Sequence, residues 1–352
     1  MGVWFATRED VMRAPDSKLT ARNNAQIDRA LESASRGIED LCHRTFAPVT
    51  ATRYFDWPGS QNGTSWRLWL DDSELISVTT LSSGGTTIGA TDFFLEPNRS
   101  GPPYNQLEID LSGPASFGGG ATHQRDITVT GLWGYRNDET TAGTLAEALD
   151  ASETGIDVSP ATSAAVGVGS VLRVDSERVL VTGRTMADTG QNLGANLDQQ
   201  LKTVTVPVAD GTTFVVDEVI LIDGERMLIV DIAGNNLIVK RAWDGSPIAA
   251  HTTGADVYAL RTLTVQRGAL GTTAATHDSG ASVQRWDPPG LVRDLAIAEA
   301  LNQVTNESAG YARTRKTGDG GTSEKAKAGQ DLPDLRDRVY NSHGRKGRVR
   351  SV

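Results

Sequence analysis

Val239-Lys-Arg-Ala-Trp-Asp-Gly-Ser-Pro-Ile-Ala-Ala-His-Thr-Thr-Gly-Ala-Asp-Val257 aligns without a gap on Val265-Gln-Arg-Gly-Ala-Leu-Gly-Thr-Thr-Ala-Ala-Thr-His-Asp-Ser-Gly-Ala-Ser-Val283. Arg241 falls on Arg267, Gly245 on Gly271, His251 on His277 and Gly254 on Gly280. An upstream phrase recurs as well, Val174-Asp-Ser-Glu-Arg-Val-Leu-Val181 and Ile222-Asp-Gly-Glu-Arg-Met-Leu-Ile229. The order along the chain is therefore first half, first half, second half, second half. A tandem array does not produce that order, whereas a complete unit inserted into a loop of another does. The alignment predicts an inner module over 202–260, held inside an outer module made of 155–184 and 261–285.

Both modules read as all β. Asp223-Gly224, between Val219-Ile-Leu-Ile and Arg226-Met-Leu-Ile-Val, is the signal for a two-residue hairpin turn, and Asp175-Ser176 takes the same place in the outer module. Gly234-Asn235-Asn236 predicts the next turn. The repeated His251 and His277, with the acid pairs Asp175/Glu177 and Asp223/Glu225, invite a metal reading, because two carboxylates and an imidazole can ligate a cation. Turn chemistry already accounts for each Asp, however, and each module offers one His, so a structural role in the loop is the expectation. No metal and no cofactor are expected.

Outside 144–285 the texture differs. Thr7-Arg-Glu-Asp10 has the form of a capping box opening a short helix. Ile27, Leu31, Ala34, Ile38 and Leu41 recur at helical spacing within a second helix of about 23–44, a narrow stripe for a core or a helix–helix interface. Cys42 lies in the same helix and is expected to be buried and inert. From Arg53 to Trp133 short runs rich in aromatic and β-branched residues alternate with Gly, Pro, Asn and Ser, the pattern of β-hairpins. Pro288-Pro289 opens a last long helix, with Leu291, Leu295, Ala298, Leu301 and Val304 along one side.

The fold class read from these patterns is α+β: a small helical core with β-hairpins, a large nested β insertion and a flexible basic tail. The expected divisions are 1–143 for the N-terminal part of the core, 144–285 for the insertion, 286–309 for the core helix and 310–352 for the tail. The chain has 352 residues and a formal net charge of −10. From Tyr311 to Val352 there are eleven Lys or Arg against five Asp or Glu, so an acidic body carries a basic end. The stretch 310–330 has almost nothing to bury and is expected to be mobile in the free chain. No apolar run is long enough to cross a bilayer, and no signal peptide is expected from Met1-Gly-Val-Trp-Phe-Ala-Thr-Arg8. The nucleophile elbow, the paired-His zinc motif and the dinucleotide fingerprint are missing, and an enzyme is not expected.

Thr7-Arg-Glu-Asp-Val11, the helical phrase Asn24 to Phe46, Arg53-Tyr-Phe-Asp-Trp57 and Asp126-Ile-Thr-Val-Thr-Gly-Leu-Trp-Gly-Tyr135 together resemble the head–tail connector (adaptor) proteins of long-tailed bacteriophages. The resemblance covers about 210 residues, all outside the nested modules, and the large β insertion departs from that family's compact form. It implies a homo-oligomeric ring, commonly twelve-fold, at the neck of a virion assembled in the host cytoplasm. The ring would sit beneath the portal protein, extend the DNA channel without binding DNA specifically, and present a surface to the next neck or tail-completion protein. In similar adaptors the C-terminal segment docks on the portal. Here its docking residues would be Leu332, Leu335, Arg336, Arg338, Val339, Tyr340, Arg345, Lys346, Arg348 and Arg350. Ile27, Leu31, Ile38 and Leu41 would serve the core helix or subunit interface. The alternative is a β-rich decoration or receptor-binding virion protein.

Overall fold

The computed structural model describes residues 2–14, 19–58, 64–308 and 331–345. Helices α1 (Arg8–Arg13) and α2 (Asn24–Cys42) precede seven strands: β1 (Val49–Phe55), β2 (Arg67–Trp69), β3 (Leu75–Ser83), β4 (Thr86–Ile88), β5 (Phe93–Glu96), β6 (Gln106–Ile109) and β7 (Ile127–Trp133). The modules follow with β8 (Glu139–Thr144), β9 (Gly155–Asp157), the short helix α3 (Pro160–Ala165), β10 (Val171–Val174) and β11 (Glu177–Asn192). They continue through β12 (Thr205–Pro207), β13 (Val219–Ile222), β14 (Glu225–Ala233), β15 (Asn236–Lys240), β16 (Asp256–Gln266) and β17 (Ser282–Trp286). Helices α4 (Gly290–Ser308) and α5 (Leu332–His343) close the described chain. The fold is α+β, with the paired strands of its sheets antiparallel.

The chain separates into two compact units, one of Met1–Ile38, Glu139–Ala269 and Thr273–Ser342, the other of Glu39–Asp138, Leu270–Thr272 and His343–Val352. Helices α1 and α4, with most of α2 and α5, thus group with the nested modules, and the hairpin strands stand as the second unit. In that second unit β1-β7-β3-β4 form one sheet and β2-β6-β5 another, around a core that includes Leu75, Leu107, Ile127 and Trp133.

In the first unit a ten-stranded sheet carries both modules, and β11 and β16 explain the nesting. Each is long enough to serve two cores. Thr185 pairs with Thr262 near the middle of the ribbon, Val181 with Val265 toward the outer module and Asn192 with Asp256 toward the inner one. The outer core gathers Leu145, Ile156, Val174, Val181, Leu263 and Val283. The inner core gathers their counterparts Leu193, Val206, Ile222, Ile229, Leu237 and Val257. Hairpin pairing of Val174 with Glu177 and of Ile222 with Glu225 leaves the two expected turns, with Asp175 at φ 49° and Asp223 at φ 52°.

Three details differ from the sequence reading. Both modules begin earlier than 155 and 202: β8 pairs with β17, and Leu193 and Leu197 belong to the inner core. The repeat is short there: Leu145, Leu149 and Asp150 fall on Leu193, Leu197 and Asp198, with little identity between them. The insertion is not purely β, since α3 interrupts it, started by Ser159, whose side chain accepts from Thr162 N, and by Pro160. In α4 the buried face is Val292, Leu295, Ala296, Ala300 and Val304, while Leu291, Ala298 and Leu301 are half-buried. Alanines fill the face that larger residues were expected to fill.

The N-terminus is fastened to the outer module. Thr7 and Asp10 close the expected capping box, at 3.0 and 2.9 Å. Arg8 N donates to Val168 O (3.1 Å), and Val168 N donates to Glu9 (2.8 Å). A Cβ on Gly169, where φ is +99°, would overlap the Trp4 ring, so this loop requires glycine.

Candidate functional site

The most elaborate side-chain arrangement is the pair of matched clusters beneath the module hairpins. In the inner one, the turn at Asp223-Gly224 sets Asp223 and Glu225 on either side of one residue, and the loop after β15 returns Arg241 and His251 to them. Arg241 donates from Nε and Nη2 to the two Glu225 oxygens, both at 2.7 Å, and both side chains are fully buried. The same guanidinium donates to the carbonyls of Asp198, Thr203 and Ala249. His251 bridges the acids, with Nδ1 2.6 Å from Asp223 and Nε2 3.0 Å from Glu225. Backbone N–H groups of Ala242 and Ala249 complete the shell.

The outer cluster repeats this bond for bond. Arg267 holds Glu177 at 2.8 Å twice and donates to the carbonyls of Asp150, Glu153 and Ala275. His277 reaches Asp175 at 2.8 Å and Glu177 at 2.9 Å, and Gly268 N and Ala275 N donate to Glu177. Burial by itself would push each glutamate up. Hydrogen bonds from Arg267 and His277, or Arg241 and His251, and from two backbone N–H groups outweigh it and hold Glu177 and Glu225 down at about 2.

In this geometry each histidine is part of a closed polar network. Each glutamate accepts four hydrogen bonds, two from arginine and two from backbone N–H groups, and has a histidine Nε2 at 2.9–3.0 Å besides, so its lone-pair positions are taken up within the cluster. Among the described residues no three His, Cys, Asp or Glu side chains are grouped to hold a metal. The clusters pin a long irregular loop to a hairpin, satisfying backbone groups that its lack of regular pairing would leave bare. The arginines at their centre were visible in the alignment as Arg241 over Arg267, but sequence does not say which carboxylate each one meets.

A cleft of about 470 Å³ lies in the same unit, lined by Trp4, Phe5, Trp286 and four arginines. Its arginines are engaged already: Arg293 with Asp10 (2.5 Å), Arg285 with Asp287 (2.8 Å), Arg184 with the carbonyls of Ser163 and Leu260, Arg13 with Asp217 O. It presents no convergent charge to a ligand.

The residues expected to mediate assembly fall in two places. Ile27, Leu31 and Ile38 are buried in their own chain, and Leu41 is half-buried. Cys42 is fully buried, and burial pushes its thiol up. In the tail, 310–330 with Lys346, Arg348 and Arg350 lie outside the described residues. The sequence from Leu332 to Tyr340 allows a short helix, and α5 forms there; that it packs on its own chain corrects the expectation of mobility over this part of the tail. Leu332 and Val339 are buried there, Arg336 pairs with Glu299 (2.6 Å) and Leu335 is half-buried; Arg338 and Tyr340 are exposed. Two well-spaced apolar residues are enough to seat a short helix that composition alone left unanchored. In the second unit Arg345 meets Asp72 at 3.1 Å, and His343 lies edge-on to Tyr135 and Phe46. Burial, then Arg44 and Arg136, push His343 down. No family model, curated protein or solved structure matches the chain.

Proposed function

We propose that the protein is a structural virion component of the head–tail connector kind, a ring that joins the capsid portal to the tail and extends the DNA channel. The observation that carries the reading is the part of the chain left when the nested modules are set aside. It comprises a capped short helix, a striped long helix, β-hairpins, a second long helix and a basic C-terminal segment, the series of elements in the phrases that resemble the connectors. The clusters beneath the hairpins support a structural rather than a chemical role, since their polar atoms are spent on one another.

The acidic balance suits a channel wall, because like charge removes the phosphate attraction that makes DNA adhere. The tail helix suits a docking segment in a modified way. With Leu332 and Val339 as its two buried apolar side chains, its release would forfeit roughly 1.5–3 kcal/mol for each, so a portal groove of similar apolarity could take it up by exchange.

The test is electron microscopy of the full chain mixed with the portal of its own particle, beside a variant ending at Ser308. Rings seated on the portal by the full chain and not by the truncated one are expected. A full chain that neither forms rings nor joins the portal would refute the connector role.

A further inference from the structure

His343 to Arg345 end the described chain on a seat made of rings and cations, all within the second unit. The His343 imidazole stands edge-on to Tyr135, with ring centroids 5.7 Å apart, and to Phe46 at 6.4 Å, and those two rings meet edge-on at 5.5 Å. Its Nδ1 lies 3.3 Å from the Tyr135 hydroxyl. Arg44 sits over the Tyr135 ring at 4.4 Å and Arg136 at 5.6 Å. Two residues on, Arg345 N donates to Cys42 O (2.9 Å), and its guanidinium pairs with Asp72 and donates to Asp71 O.

The carboxylates around the seat are committed elsewhere. Glu74 pairs with Arg44 (3.0 Å), Asp72 with Arg345 (3.1 Å), and Glu39 accepts from Phe46 N (3.2 Å). Burial first, then Arg44, then Arg136 all act on His343 in favour of the neutral ring. The two charge states also differ in bonding. A neutral ring can accept from Tyr135 O–H through Nδ1, whereas an imidazolium has donors on both nitrogens and cannot. A proton would further place a third cation beside a tyrosine ring that already carries two. The carbonyl end of α5, whose last residue is His343, acts in the opposite sense.

We propose that His343 is a proton-operated latch, which seats Gly344 and Arg345 on the second unit while neutral and releases them when protonated. A histidine whose folded value lies below the ordinary 6.5 contributes its stability in full above 6.5 and loses it as pH falls through the folded value. The latch is therefore closed at neutral pH and opens in mild acid. Glu177 and Glu225 of the module clusters begin to lose their contribution only below about 4.5, so it opens while the modules stay folded. The inference stands on this seat and not on the connector reading; within that reading, the latch decides when the basic end is offered to the portal.

NMR of the full chain from about pH 8 to 5 tests it. The His343 ring is titrated, and protection of the Arg345 amide from hydrogen exchange, corrected for intrinsic rates, reports on the seat. His343 is expected to titrate below 6.5. Arg345 protection is expected to fall by about tenfold for each unit of that difference. Arg136→Gln, at an exposed position, removes one guanidinium and is expected to move both the His343 titration and the opening to higher pH, a response that a merely structural ring would not give. His343→Phe keeps a ring in the seat and is expected to protect Arg345 alike across the range; His343→Gln decides if the phenylalanine variant does not fold. The proposal is overturned if His343 titrates at or above 6.5, if protection does not change with pH, or if a folded variant without the imidazole keeps the change. No portal enters these readouts, so the latch can fail while portal joining succeeds, and the reverse.

Discussion

Arg241 and Glu225 form a two-bond ion pair at 2.7 Å with no solvent exposure of either side chain, and Arg267 with Glu177 reproduces it one module away. Removing one member strands a buried charge, which costs about 3–5 kcal/mol. Arg241→Met is therefore expected to destabilise the inner module by that order, seen as a lower urea midpoint. Arg241→Met combined with Glu225→Gln should recover part of the loss, because no buried carboxylate is then left unpaired. A single variant as stable as wild type would contradict the central role given to the arginine.

The same glutamates set an acid limit. In the unfolded chain each takes up its proton near the ordinary value of 4.5, but in the folded chain only near about 2. Between those values the unfolded state binds more protons, so stability falls as pH falls. The contribution is complete above about pH 4.5 and lost on approach to about pH 2. Urea midpoints at about pH 6, 4 and 3 should decline in step, and Glu177→Gln with Glu225→Gln should flatten the decline while lowering the plateau.

Gly169→Ala is expected to cost about 1–3 kcal/mol. The added methyl meets the Trp4 ring from a backbone with φ of +99°, and neither side can retreat because Trp4 is buried. The Trp4→Ala, Gly169→Ala double variant should cost less than the sum of the two, measured by thermal unfolding.

A fragment covering 186–261 is expected to fold alone. It holds the whole inner core, from Leu193 to Ala259, and both arms of its closing ribbon. Its size makes it marginal, with little surface buried per residue, so its midpoint should lie below that of the full chain. Dispersed amide resonances check the fold. A fragment with the spectrum of an unfolded chain would mean that the module depends on its neighbours.

The order of the repeated halves determined the nesting, because strands that run on from one module to the other must carry both patterns in one stretch. Asp223-Gly224 and Thr7 to Asp10 determined a turn and a helix start, since φ preference and capping are local. Three matters were decided only in the tertiary structure. The partner of Arg241 lies sixteen residues away and that of Arg267 ninety, and which of many carboxylates a guanidinium meets depends on where the loop is brought. The seat of α5 rests on Leu332 and Val339 meeting a surface that its own composition does not contain. The row of Thr52, Thr130 and Thr80 formed when three strands distant in sequence were set in register, since no single strand shows which residues its neighbours place beside it.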